Sequence, residues 1–266
     1  MRLVSFEGGF GRVEDDQVVP MGPSLVDWLA FGTQGVATGA PRPLAEVRLL
    51  APVPRPGKIV CVGLNYRDHA KETGQAIPTE PVLFSKFANS VVGPGADVVV
   101  PPEAEPVDYE AELAVVIGRR ASAVRVADAL DHVAGYACAN DVSARSLQFR
   151  SGQWLLGKAI DTFLPLGPWL VTADEVPDPQ ALGIRCLVND ELRQESNTGQ
   201  MVFGVAELIG FISRTLTLEP GDLLVTGTPS GVGMAADPPR FLGPGDRMRV
   251  EIDGLGQLDN TVRARA

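Results

Sequence analysis

Glycine and proline recur along the whole of this chain, 29 and 22 times in 266 residues, and this punctuation keeps its elements short. Proline lacks a backbone donor and fixes φ, and glycine favours turns over helix interiors. The two are scattered rather than clustered, so they read as turns between brief strands and not as disorder. The segments between them are apolar and β-branched: KIVCVG (58–63), VLFSKF (82–87), ADVVVP (96–101), YEAELAVVIG (109–118), HVAGYACANDV (132–142), PWLVT (168–172), GIRCLVND (183–190), DLLVTG (222–227) and DRMRVEIDG (246–254). Helical patterns are confined to 65–73, 126–131, 143–150 and 204–216. In the last of these Val205, Leu208, Ile209, Ile212 and Leu216 share one face. The expectation is a mainly β fold with short helices, α+β in class.

Residues 1–19 alternate weakly and predict a hairpin turning at Gly8-Gly9 or Asp15-Asp16. A short helix over 24–31 would be capped by Ser24. Five prolines then fall between Pro41 and Gly57, a linker or edge composition. This places a boundary near residue 52, with a small N-terminal α+β domain at 1–52 and a larger domain at 53–266.

The formal charge of −10 repels phosphate backbones and anionic lipid, which argues against nucleic-acid and membrane partners. Cys61, Cys138 and Cys186 are odd in number and widely spaced, and are read as buried free thiols. The first residues carry no apolar signal core, and no apolar run approaches the length of a membrane span. A cytoplasmic protein is expected.

The chemistry concentrates in DYEAELAVVIG (108–118). On a strand, Glu110 and Glu112 point to one face, and two neighbouring carboxylates repel unless a proton or cation lies between them. Asp141, at the end of GYACAND, is a candidate third ligand. Three carboxylates suit a hard cation such as Mg²⁺ better than Zn²⁺, since the only histidines are His69 and His132. Alone, an E-x-E pair is better read as exposed sheet surface, and Asp141 fits a turn cap equally well.

In GLNYRDHAKETG (63–74) Asn65 is a candidate helix cap and Gly74 a candidate stop. His69 and Glu72 are neighbours on that helix. A carboxylate orients an imidazole for base chemistry, although spacing alone favours an incidental surface pair. Arg145 and Gln148 fall three apart after Asp141, and an Arg fork suits a substrate carboxylate. Lys158 could stabilise enolate charge or pair with Asp161. VTGTPSGVG (225–233) could offer anion-binding donors or be an ordinary tight turn.

Together and in this order, GLNYRDHAKE, the S-K-x-x-N-S-x-x-G-P-G stretch (85–95), DYEAELAVVIG, NDVSAR (140–145), GKAIDTFLPLGP (157–168) and TGTPSGVG (226–233) closely resemble the fumarylacetoacetate hydrolase family over about residues 55–265. Many relatives carry proline where this chain has Phe87. The resemblance implies a mixed β-sandwich roll, a homodimer, and Mg²⁺ or Mn²⁺ held by Glu110, Glu112 and Asp141. It implies His69 and Glu72 as a catalytic dyad on a mobile lid helix and Lys158 as an active-site lysine. Arg145, Gln148, Thr228 and Tyr66 are the residues expected to face a small oxo-acid substrate. The favoured activity is hydrolysis of a C–C bond in an acylpyruvate-like or sugar-derived 2,4-dioxo acid. The same site could instead serve oxaloacetate decarboxylation or 2-oxo-acid tautomerisation. A non-enzymatic module with a structural cation is the third reading.

Overall fold

The computed structural model describes residues 1–31 and 37–265. Strands dominate and, among the described residues, form two large sheets and one two-stranded sheet, Val107–Asp108 with Ser143–Ala144. One large sheet runs in the order Arg42–Pro43, Gln17–Gly22, Gly9–Glu14, Arg2–Phe6, Leu164–Thr172, Val133–Asn140, Ala111–Ile117, Leu223–Val225, Ile59–Gly63, Val82–Lys86. The other runs Glu191–Asn197, Gly183–Val188, Arg247–Ile252, Gly256–Ala264, Asp97–Val100. Both are mixed: Leu223–Val225 pairs parallel with Ile59–Gly63, and Gly256–Ala264 with Asp97–Val100, among otherwise mostly antiparallel neighbours. Short helices and 3₁₀ turns fill the connections, so the class expected from sequence is the one found.

The main core lies between the sheets. Leu113, Val115 and Ile117 from one meet Ile184, Cys186, Met248 and Val250 from the other. Ala114, Val116, Ala137 and Ala139 face the opposite side of the first sheet and pack with Leu3, Phe10 and Leu25. Its central strands are thus buried on both faces, which is why they read as continuous apolar runs. The N-terminal strands continue this sheet, with Arg2 opposite Val171 and Leu3 opposite Leu170. Turns form at both Gly8 and Asp15-Asp16, the latter pair at φ 46° and 58°. The Ser24 hydroxyl accepts from Asp27 N at the start of the Leu25–Phe31 helix. No helix among the described residues is long and apolar enough to cross a membrane.

Four expectations fail locally. The 204–216 helix ends at Ser213, leaving Leu216 beyond it and exposed. The strands Glu191–Asn197 and Gly256–Ala264 carry too weak an apolar alternation to be read from sequence. The 126–131 segment is 3₁₀ rather than α. Asn65 does not cap a helix: its side chain donates to Phe203 O and Thr226 O and accepts from Phe203 N, tying three loops together at the helix entrance.

Candidate active site and metal centre

The acid cluster is a product of strand register. Glu112 has the parity of Ala114 and Val116, and Glu110 follows it two residues earlier, just before the strand begins at Ala111. In the neighbouring antiparallel strand Ala139 stands opposite Glu112 and Asn140 opposite Ala111. Asp141 N donates to Glu110 O at 2.8 Å, so Asp141 falls across from Glu110 on the same face. One oxygen from each of Glu110, Glu112 and Asp141 lies within 4.8 Å of the others, and all three side chains are buried.

Three cations surround them. Lys158 Nζ is 2.8 Å from Glu110 Oε2 and 2.7 Å from Asp141 Oδ2. Arg145 Nη1 is 2.7 Å from Glu110 Oε1, while its Nε and Nη2 donate to Asp108 Oδ2. Lys86 Nζ is 2.7 Å from Asp141 Oδ1. Its hydrogens are directed at the carbonyls of Val142, Lys158 and Phe163, so that oxygen gains charge but no directed hydrogen bond. Burial disfavours charge on Glu110, but Lys158 and Arg145 outweigh it and hold the acid down at about 2. Burial likewise opposes the charge of Lys158, and Asp141 and Glu110 overcome it, raising that pKa. Lys86 is pushed down by burial despite Asp141.

Glu112 is left over. Among the described residues, Lys86, Arg145 and Lys158 pair with Asp108, Glu110 and Asp141, and Glu112 has the Gly227 N–H as its hydrogen-bond donor. Burial, then Asp141 and Glu110, push its pKa well above the usual carboxylate range. Such a group must hold a proton or a cation. An all-oxygen donor set of this charge fits a hard divalent ion. In the metal-free protein the raised pKa means the folded state binds this proton more tightly than the unfolded chain. That contribution favours folding at low pH and is lost as pH rises through the folded value. A metal ion must displace the same proton. Mg²⁺ should therefore bind more tightly as pH rises, releasing a proton. Calorimetry in two mildly acidic buffers of different ionisation heat reads the release, and a heat independent of buffer would mean that Glu112 is already ionised.

The helix Arg67–Glu72 brings the second cluster. The chain turns into it through Leu64, held at a φ of 53°. His69 Nδ1 lies 3.2 Å from Glu72 Oε2, and Glu72 Oε1 accepts from Gly231 N at 2.8 Å. Arg67 donates to Met201 O, and Asp68 accepts from Ser196 Oγ. The helix is thus pinned to the Glu191–Asn197 strand and to the glycine-rich 227–233 loop, and the two residues that spacing makes neighbours are in hydrogen-bond contact.

Residues of both clusters line one cavity. Glu110, Glu112, Lys158, Arg145, Gln148 and Thr228 form its polar wall, and His69 lines it too. The Arg145 fork, expected to be free for a substrate carboxylate, is occupied by Asp108, Glu110 and Gln148 Oε1. Arg145 therefore orients Glu110. Thr228 Oγ1 donates to Ala111 O and accepts from Gln194 Nε2. Lys158 does not pair with Asp161, which accepts from Asn89 instead. Tyr66, expected to face the substrate, is fully buried and outside the cavity lining, and its hydroxyl has no hydrogen-bond partner among the described residues. Phe87 is half exposed and also lies outside the lining. Sequence reasoning missed Lys86, Asp108 and Gln194. For Lys86 and Asp108 the one visible signal is a charged residue inside or beside a short apolar strand, and Gln194, in the polar stretch ELRQESN, has none.

Residues 58–263 match the family profile described as fumarylacetoacetate (FAA) hydrolase C-terminal. The chain belongs to the fumarylacetoacetate hydrolase family. Residues 1–52 match a second profile, Rv2993c-like, N-terminal. Among relatives of this family, the mitochondrial oxaloacetate tautomerase FAHD2B of Bos taurus is 54% identical, covering 98% of this chain and 91% of its own. The solved structure of 2-hydroxyhepta-2,4-diene-1,7-dioate isomerase from Mycobacterium marinum is 37% identical with a TM-score of 0.86, covering 100% of this chain and 99% of its own. That of the fumarylacetoacetate hydrolase from Exiguobacterium antarcticum is 38% identical with a TM-score of 0.89, each chain covered completely. The family's fold thus carries both isomerase and hydrolase names.

Proposed function

We propose that this family member catalyses enol–keto tautomerisation of a compact 2-oxo diacid of the oxaloacetate type, with Mg²⁺ or Mn²⁺ as cofactor. The observation that carries this reading is that Glu110 and Glu112 of the acid cluster line one cavity with His69, whose Nδ1 is hydrogen-bonded to Glu72. The tautomerase name of a relative more than half identical to this chain supports it over the C–C hydrolysis expected from the sequence.

Glu110, Glu112 and Asp141 would hold the ion, which when bound supplies Lewis-acid polarisation to a chelating 2-oxo acid. The chain's own residues supply proton transfer and charge. Glu72 would accept from Nδ1 of His69 and fix the proton there, leaving Nε2 free. Nε2 is then the atom that takes the proton from the C2 hydroxyl of the enol and returns it to C3, and that removes a C3 proton and returns it to oxygen in the reverse direction. Lys158 and Arg145 keep Glu110 ionised, and Lys158 adds positive charge where enolate charge develops. This reaction needs one proton carrier and no attacking water.

Cleavage of an acylpyruvate is the second reading, favoured by the hydrolase name of a solved relative. It would use the same dyad to deprotonate a water. Enol decay of oxaloacetate and pyruvate release from acetylpyruvate, measured on one Mg²⁺-loaded preparation, separate the two. Faster tautomerisation is expected, and cleavage without tautomerisation would overturn the proposal. The proposal also takes the protein as a cytoplasmic homodimer divided near residue 52. A monomeric mass by sedimentation at micromolar concentration would remove the dimer.

A further inference from the structure

The cavity has a second wall that the proposed chemistry does not use. Val62, Leu64, Phe84, Phe149, Trp154 and Met234 line it. Trp154 opens the turn that ends in Lys158, and Gly157 N closes that turn on the Trp154 carbonyl at 2.9 Å. Gly157 is itself wedged against the Arg145–Gln148 helix: a Cβ there would fall 2.5 Å from Gln148 N and 2.6 Å from Ala144 O. The turn is therefore fixed at its base, and the indole has a defined place. Phe84 touches both of its ends. The Trp154 ring meets Phe84 edge-on, with centroids 5.4 Å apart at 65°, and Lys158 Nζ lies 5.1 Å from the Phe84 centroid.

The outer edge of the indole's six-membered ring points at Gly63. A Cβ on Gly63 would stand 2.5 Å from Cζ3 and 2.8 Å from Cη2 of Trp154, closer than van der Waals contact permits. Gly63 has no positive φ to explain it, so the tryptophan is the structural reason for glycine here. A bulky, rigid, apolar group has been fitted tightly beside a site whose chemistry concerns only the acid head of its substrate.

We propose that Trp154 is the specificity-determining residue of this site. Packed against Gly63 and Phe84, it closes the apolar end of the cavity and restricts it to 2-oxo acids with short tails. The inference rests on the reading of the cavity as a 2-oxo-acid site and deepens it. The Trp154 side chain forms no hydrogen bond with any of the three acids and packs on Phe84 and Gly63, so shortening it opens room for a tail without removing a group that binds the head. One methylene more or less in an apolar pocket is worth about tenfold or more in discrimination.

The test keeps the acid head constant and lengthens only the tail. Binding of oxalate, pyruvate, 2-oxohexanoate and 2-oxooctanoate to the Mg²⁺-loaded protein is measured by calorimetry for the parent, Trp154→Ala and Trp154→Leu. The parent should favour pyruvate over 2-oxooctanoate. Both variants should shift that ratio about tenfold or more towards the long acid, with oxalate affinity unchanged. An unchanged ratio with intact oxalate binding would overturn the role of Trp154 alone. If no oxo-acid binds the parent, the reading of the site fails instead. A separate measurement needs neither metal nor turnover. Gly63→Ala should lower the melting temperature of the parent and be tolerated in the Trp154→Ala background. Equal losses in the two backgrounds would show that the indole does not occupy the space over Gly63.

Discussion

A His69→Ala variant should lose about 10²–10⁴-fold in the rate of enol–keto conversion while binding Mg²⁺ as tightly as the parent. The two halves of this result follow from separate parts of the structure. The imidazole lines the cavity and bonds Glu72, but none of its hydrogen bonds involves Glu110, Glu112 or Asp141. Removing it takes away the proton carrier and leaves the three acids with Lys86, Lys158 and Arg145 as before. Glu72→Gln should fall between the variant and the parent, because an amide can still reach Nδ1 but no longer selects one tautomer by charge. Stopped-flow decay of the enol and Mg²⁺ calorimetry on the same protein check both halves. Conversion at the parental rate would remove His69 from the mechanism.

What the sequence made legible here was whatever rested on local periodicity. Glu110 and Glu112 were assigned to one face by the two-residue repeat of a strand, and His69 and Glu72 to one face of a helix. Both assignments hold in three dimensions. Side chains whose partners lie far along the chain were not legible. Asn65 resembles a helix cap, yet it bonds Phe203 and Thr226, 138 and 161 residues away. Arg145 resembles a free fork, yet Asp108, 37 residues earlier, occupies it. Glu191–Asn197 was missed because a single residue of that strand, Gln194, is buried. Its buried role is polar: it accepts from Ala111 N and donates to Thr228 Oγ1 and Pro229 O. Hydrophobic patterning does not report a strand that contributes an amide to the core.

Lys86→Met should destabilise the metal-free protein by about 3–5 kcal/mol, the range for breaking a buried ion pair by removing one partner. Methionine matches the length of the lysine stem, so the loss is one of charge and donors rather than volume. Asp141 Oδ1 would keep its charge with no cation beside it. The carbonyls of Val142, Lys158 and Phe163 would each lose the donor they share, and buried carbonyls without partners are costly. The deficit should shrink in saturating Mg²⁺, because a cation bound to Asp141 replaces part of the missing charge and ligand binding favours the folded state. Urea unfolding with and without Mg²⁺ reads both effects. A loss below about 1 kcal/mol would show that Lys86 only fills space.

The pairing of Asp141 opposite Glu110 has a consequence for how such a site can change over time. Successive residues of a strand face opposite ways, so sliding either partner by one position would turn its carboxylates into the core between the sheets and bring apolar residues to the cavity. The centre has no intermediate positions and can only be inherited whole or abolished. The connection between the two strands answers to a different constraint, since Ala121 pairs with Leu218 and Ala123 N donates to Ser213 O. The centre itself requires only that the rungs from Ala111 to Ile117 stay matched to those from Val133 to Asn140.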